Sequence, residues 1–179
     1  VDLVIRTWHK DILQIEVLLE SIAIFWPFGR LRTRVVVVLD AEAPETPEVC
    51  ARIEDRFSSW ASCVGEEVPE FLQGWHLMRR PKFARVHWST FWSDRYALDA
   101  DFVGVLDSDV IFHSFGADAM LFAEKPEQPG HGVKRGRPYA VLSASWSASF
   151  VFSALAVQDK FSGVNFMDSL PMVVRREDF

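Results

Sequence analysis

Two textures alternate along the first two-thirds of the chain. Residues 1–7 are a short apolar run that closes on Arg6 and Thr7, which predicts a strand. Residues 11–25 follow with Ile12, Ile15, Leu18, Leu19 and Ile22 at helical spacing, and Pro27 stops the pattern. Residues 34–39 are Val-rich and unbroken, as strands covered on both faces are, and the run ends on Asp40. A second helix is predicted over 45–60, with Thr46 and Pro47 as its start signal. A third strand is expected near 62–64 and a loop over 68–74. Pro81 opens a third helix that runs to about residue 98, and 102–106 is the fourth strand. Strand and helix in alternation predict an α/β fold, a mostly parallel sheet with helices on both faces.

The texture changes after Phe112. Residues 124–138 are rich in Pro, Gly, Lys and Arg and read as an exposed loop. Residues 139–143 read as a further strand, and 143–156, small and apolar, fit either strand or helix. There is no repeat, low-complexity tract or interdomain linker, so residues 1–179 are expected to form one domain. Its two parts are 1–112, regular, and 113–179, irregular.

The fourth strand carries the sharpest chemical signal, Val105-Leu106-Asp107-Ser108-Asp109. Ligands of open α/β sheets bind outside the carboxyl ends of the strands, and alternate side chains of an extended segment point the same way. Asp107 and Asp109 can therefore converge at the ligand edge. Paired hard oxygen donors suit Mg²⁺ or Mn²⁺ carrying a substrate's phosphates. The alternative is a solvated turn, which Asp and Ser also favour. Arg6, Thr7 and Asp40 end two other strands and would share that rim, either binding a ligand or capping the helices that follow. Arg79, Arg80, Lys82 and Arg85 gather positive charge at the start of the third helix, an anion site or a solvated basic face. His113 and His131 follow the acid pair without tight ligand spacing. Asp168, Glu177 and Asp178 are late acids, candidates for a general base that deprotonates an acceptor, or ordinary surface charge. There is no G-x-S-x-G, G-x-G-x-x-G or Walker-type loop, which argues against α/β-hydrolases, dinucleotide dehydrogenases and P-loop enzymes.

Composition narrows the partners. The net charge is −6 and no long basic run exists, so nucleic acid is not an expected partner. An anionic donor would need local cations or a metal to offset that field. Seven Trp and fifteen Phe make an aromatic core, with some rings free to stack on sugars if they reach the surface. The two cysteines, Cys50 and Cys63, lack metal-site spacing but allow one bridge. No run of apolar residues is long enough for a membrane span, and no signal peptide is visible. The chain starts on Val1 inside a predicted strand and ends at Phe179, as an excised domain or fragment would.

The strand Val1-Asp2-Leu3-Val4-Ile5-Arg6-Thr7, the strand ending on Asp40 and the D-x-D at Asp107-Ser108-Asp109 together resemble a nucleotide-diphospho-sugar glycosyltransferase of the GT-A, Rossmann-like fold. Residues 74–112 resemble the helix, strand and D-x-D unit of such enzymes, and Pro171-Met172-Val173-Val174-Arg175-Arg176 resembles an acceptor-side segment. The resemblance implies a nucleotide-diphospho-sugar donor and a glycan, protein or other hydroxyl acceptor. It implies Mn²⁺ or Mg²⁺ on the donor diphosphate, with Asp109 as direct ligand and Asp107 on the ribose or on the metal through water. Thr7 and Asp40 would hold the nucleotide. Residues 1–112 would form the donor half and 113–179 the acceptor half. No C-terminal His is identifiable as a further metal ligand. Two other readings compete. The D-x-D-x-[TV]-like run from Asp107 to Ile111 comes close to the first motif of haloacid-dehalogenase-like phosphatases, with Asp107 as nucleophile and Asp109 as acid/base. The third reading is a nucleotide-sugar-binding module without catalysis.

Overall fold

The computed structural model describes residues 1–68, 81–118 and 172–176. Among these residues five strands form one sheet: β1 (Asp2–Arg6), β2 (Val35–Asp40), β3 (Ala61–Glu66), β4 (Phe102–Leu106) and β5 (Met172–Arg175). Their order is β3-β2-β1-β4-β5. β1 pairs in parallel with both β2 and β4, and β2 with β3, while β5 pairs antiparallel with β4. The first, second and fourth strands are thus parallel neighbours with the first between the others, the arrangement that short right-handed crossovers predict.

Helices α1 (Ile12–Phe25) and α2 (Thr46–Phe57) cover one face, and α3 (Pro81–Phe91) packs on the other. The pleat explains the division. Leu3 and Ile5 of β1, with Val35, Val37 and Leu39 of β2, pack against Ile15, Leu18, Leu19 and Ile22 of α1 and Val49, Ile53 and Phe57 of α2. The intervening Val4, Val36 and Val38 join Val103 and Ala97 on the α3 face. Each fully buried Leu or Ile stabilises the fold by roughly 1.5–3 kcal/mol relative to exposure. Gly104 of β4 sits opposite Leu3, whose Cδ2 would lie 2.6 Å from any added Cβ, so this strand position admits no side chain without moving the core.

Three elements differ from expectation. The third strand is longer than the predicted 62–64 because it takes in Glu66, a buried acid. The third helix ends at Phe91, and a separate one-turn helix spans Ser93–Tyr96. Ser93 gives the cause: its hydroxyl donates to the carbonyls of Ser89 (3.1 Å) and Thr90 (2.9 Å), competing with the helical ladder. The 172–175 stretch, for which no strand was predicted, is a strand, the outermost beside β4 among the described residues. Cys50 of α2 and Cys63 of β3 form the single bridge that the sequence allowed. The predicted loop over 124–138, the strand at 139–143 and the 143–156 segment lie outside the described residues, as does most of 68–74. Among the described residues no helix is long and apolar enough to cross a membrane.

Candidate functional site

The sheet order places a topological switch point between β1 and β4: from β1 the chain proceeds outward to β2 and β3, then returns to the other side of β1. Crevices of this kind, outside the carboxyl ends of the strands, are where open α/β sheets bind ligands. Ile5 is in register with Leu106, so Thr7 and Asp107 leave the ends of two adjacent strands at the same rim. Thr7 continues the ladder, its N–H donating to the Val38 carbonyl at 3.1 Å. Its side chain is buried, yet Oγ1 has no hydrogen-bond partner among the described residues. An unmade hydrogen bond of a buried hydroxyl costs about 1–3 kcal/mol, so this atom asks for a ligand or water.

Across the crevice, Asp107 to Val110 form a turn closed by the Val110 N–H on the Asp107 carbonyl at 3.4 Å. Asp107 and Asp109 are exposed, and neither carboxylate has an ion-pair partner among the described residues. The protein nevertheless lifts the Asp107 carboxyl above its ordinary range, first by partial burial and then through the like charge of Asp109. Among the described residues no three His, Cys, Asp or Glu side chains gather as a metal cluster, and exposed His113 does not complete one. Two uncompensated carboxylates still fit a divalent ion whose remaining ligands are phosphate oxygens and water.

Beneath the rim, on the α3 face, lies a charged layer. Pleat and register bring Arg6, Asp40 and Glu66, the last residues of β1, β2 and β3, to the same side. Arg6, expected to meet a ligand, is buried and serves the protein instead. Its Nε donates to Ser89 Oγ at 3.0 Å, Nη1 to the carbonyls of Val38 (3.2 Å) and Thr7, and Nη2 to Asp40. Arg6 thereby fixes the backbone of Thr7. Asp40 stands at the rim, half-buried, between Arg6 and Arg85, whose Nε lies 2.9 Å from Oδ1. Both arginines address Oδ1, and Oδ2 has no partner among the described residues. Arg85 also donates to Glu42 at 2.6 Å and to the Glu66 carbonyl. Burial alone would raise the Glu42 carboxyl, but Arg85 and backbone amides, that of Val68 among them, hold it below its ordinary range. Glu66 accepts from Ser89 Oγ and from the Tyr96 hydroxyl at 2.7 Å. Burial and then the Glu66 carboxylate push the Tyr96 phenol strongly upward, so it remains a donor.

Of the basic cluster at the start of α3, Arg79 lies outside the described residues and Lys82 lies in the first turn of the helix. Arg85 is turned inward as a clamp. Glu66, Ser89 and Tyr96 were not singled out in the sequence; Glu66 closes its strand as Asp40 closes the one before, and that parallel was the available signal. Asp168, Glu177, Asp178 and His131 lie outside the described residues. A cleft of about 350 Å³ opens beside the start of α1 and α2, lined by His9, Lys10, Glu45 and Arg52 among others.

No family model and no curated protein matches the chain. Among solved structures, it is similar to the mannosyltransferase PcManGT from Pyrobaculum calidifontis in complex with GDP-Man and Mn²⁺, with a TM-score of 0.41 and 22% sequence identity. That match covers 62% of this chain and 27% of the other, so the chain spans about a quarter of that protein's length.

Proposed function

We propose that this chain carries the donor site of a metal-dependent glycosyltransferase, which moves a sugar from a nucleotide diphosphate to a hydroxyl acceptor. One observation carries the reading. At the switch point the carboxylates Asp107 and Asp109, without an ion-pair partner among the described residues, follow the end of β4, and Thr7, whose buried hydroxyl has no partner among the described residues, follows the end of the adjacent β1. Such a crevice takes a nucleotide, and the acid pair supports a divalent cation on its diphosphate.

In this reading Asp109 would hold Mn²⁺ or Mg²⁺, and Asp107 would bind the ribose or help to hold the ion. The ion supplies charge stabilisation for the departing diphosphate. Thr7 Oγ1 donates to the nucleotide. Asp40 accepts from it through Oδ2, while Arg6 and Arg85 hold Oδ1. Arg79 and Lys82 add positive charge near the phosphates. Residues 1–112 are the donor half. Residues 113–179 shape the acceptor side, and one of Asp168, Glu177 and Asp178 takes the acceptor's proton. A haloacid-dehalogenase-like phosphatase would need a further acidic group for its metal, and the described residues offer none.

The test is a thermal-shift panel of nucleoside diphosphates with Mn²⁺ or with EDTA. A ligand at a hundred times its Kd stabilises the fold by about 2.7 kcal/mol. The expected result is stabilisation by at least one diphosphate only with the metal, lost in Asp109→Ala. Equal stabilisation in EDTA would overturn the reading. Release of sugar from the matching labelled donor separates an enzyme from a binding module, which binds without turnover.

A further inference from the structure

The acid pair sits on a segment with no regular secondary structure, and something must hold it. From Asp107 the chain turns, then runs along α1 through Phe112 and Phe115 to Asp118. Val110 and Phe112 pack on the core that α1 shares with the sheet, and Ala117 is buried in it. Phe112 meets Trp26 edge-on at 5.5 Å between ring centroids, and Phe115 meets Phe25 at 5.1 Å. Trp26 is itself fixed, its Nε1 donating to Thr33 Oγ1 at 3.0 Å. Asp118 closes the run on Arg30 at 2.8 Å.

Besides Glu16, which pairs with Arg52 of α2, one buried residue of α1 breaks its apolar pattern. Ser21 is 6% exposed, on the face that also buries Leu18, Leu19 and Ile22. A hydroxyl among aliphatic neighbours costs free energy unless it is bonded. Ser21 Oγ donates to the Leu18 carbonyl at 2.7 Å and accepts the Phe112 N–H at 3.1 Å. The first bond is local to the helix and orients the hydroxyl. The second spans ninety-one residues of sequence and reaches the segment that follows the acid pair. Between Val110 and Phe112 no other described hydrogen bond ties this backbone to the rest of the protein.

We propose that Ser21 is a positioning residue for the donor site: its hydroxyl, with the Trp26–Phe112 contact beside it, sets where the Asp107–Asp109 turn lies against Thr7. This inference rests on the donor-site reading above. It also explains a serine where helical periodicity calls for an apolar residue.

The experiment compares Ser21→Ala and Ser21→Thr with the unaltered chain, well below their melting temperatures. Hydrogen exchange at the Phe112 amide is expected to quicken about tenfold in Ser21→Ala, the size of one lost hydrogen bond, with the strand amides unchanged. Affinity for a nucleoside diphosphate with Mn²⁺ is expected to weaken several-fold in parallel. Ser21→Thr keeps the hydroxyl and is expected to restore both. Unchanged Phe112 exchange in Ser21→Ala overturns the anchor, whatever the ligand data. Quickened exchange with unchanged Mn²⁺-dependent affinity overturns the positioning role and leaves Ser21 structural. If the unaltered chain binds no nucleoside diphosphate with Mn²⁺, the donor-site reading fails with the positioning role, and the exchange result alone reports whether the anchor exists.

Discussion

Asp107 is the residue where stability and the proposed role oppose each other. Its carboxyl is raised by partial burial and by Asp109, so the folded state holds that proton more tightly than the unfolded chain does. Between the unfolded value and the higher folded one, the folded state carries more protons. Stability therefore falls as pH rises through that interval, and at neutral pH the ionised pair is a net cost. Asp107→Asn removes both the desolvation and the repulsion while keeping the shape. We expect it to raise the melting temperature at pH 7 in EDTA, to leave it little changed near pH 3, and to abolish metal-dependent nucleotide binding. A variant less stable than the unaltered chain at pH 7 in EDTA would show that the two carboxylates are already compensated. Glu42 has the opposite sign: held below its ordinary range by Arg85 and the Val68 amide, it stabilises at neutral pH and loses that contribution as pH falls through its folded value.

At the scale of elements, the clearest contribution outside the core is the bridge from α2 to β3. Cys50 and Cys63 are thirteen residues apart, and closing a loop of that size restricts the unfolded chain by about 3 kcal/mol. A Cys50→Ala, Cys63→Ala double variant, or the reduced protein, is expected to lose about that much in chemical denaturation. No change in the denaturation midpoint would mean the bridge does not form in solution. What the sequence disclosed about elements follows the strength of each periodic signal. β1, β2, β4, α1 and α2 announce themselves through long apolar runs or 3.6-residue spacing. β3 reads Ala-Ser-Cys-Val-Gly-Glu, with little apolar content, and among the described residues only β2 pairs with it in the sheet. The end of α3 was hidden because Ser93 breaks it through hydroxyl bonds, not through Gly or Pro. β5 was hidden because four residues carry too short a pattern, and its partner β4 lies seventy residues away. At the rim, the strand-end polar residues were legible and their partners were not. Arg6 looked like a ligand contact because sequence gives position along a strand but not what the opposite helix supplies. Ser89 of α3 supplies a partner to Arg6, and Tyr96 beyond it supplies one to Glu66.

For the whole molecule, the direction of β5 gives a way to order the three late acids for testing. β5 is antiparallel to β4, with Met172 opposite Val105 near the rim and Arg175 opposite Phe102 at the far end. Arg176 stays there, its N–H on the Asp101 carbonyl at 3.0 Å and its side chain on the Leu98 carbonyl at 2.6 Å. A strand rises about 3.3 Å per residue, so crossing β4 takes the chain roughly 15 Å from the Asp107 edge. Glu177 and Asp178 follow Arg176 in sequence, Asp168 precedes Met172, and all three lie outside the described residues. Because the described chain begins β5 beside the rim and leaves it at the far end, we propose Asp168 as the base among the three. Asp168→Asn is expected to lower the transfer rate by at least about a hundredfold, the usual scale of a lost general base, with donor affinity unchanged. Glu177→Gln and Asp178→Asn are then expected to leave both rate and affinity within about twofold, as substitutions outside a site do. Donor affinity and single-turnover transfer, measured in parallel for the three variants, give the answer. A large rate loss in Glu177→Gln or Asp178→Asn with Asp168→Asn silent would reverse the assignment and require the chain after β5 to fold back along the sheet to the rim.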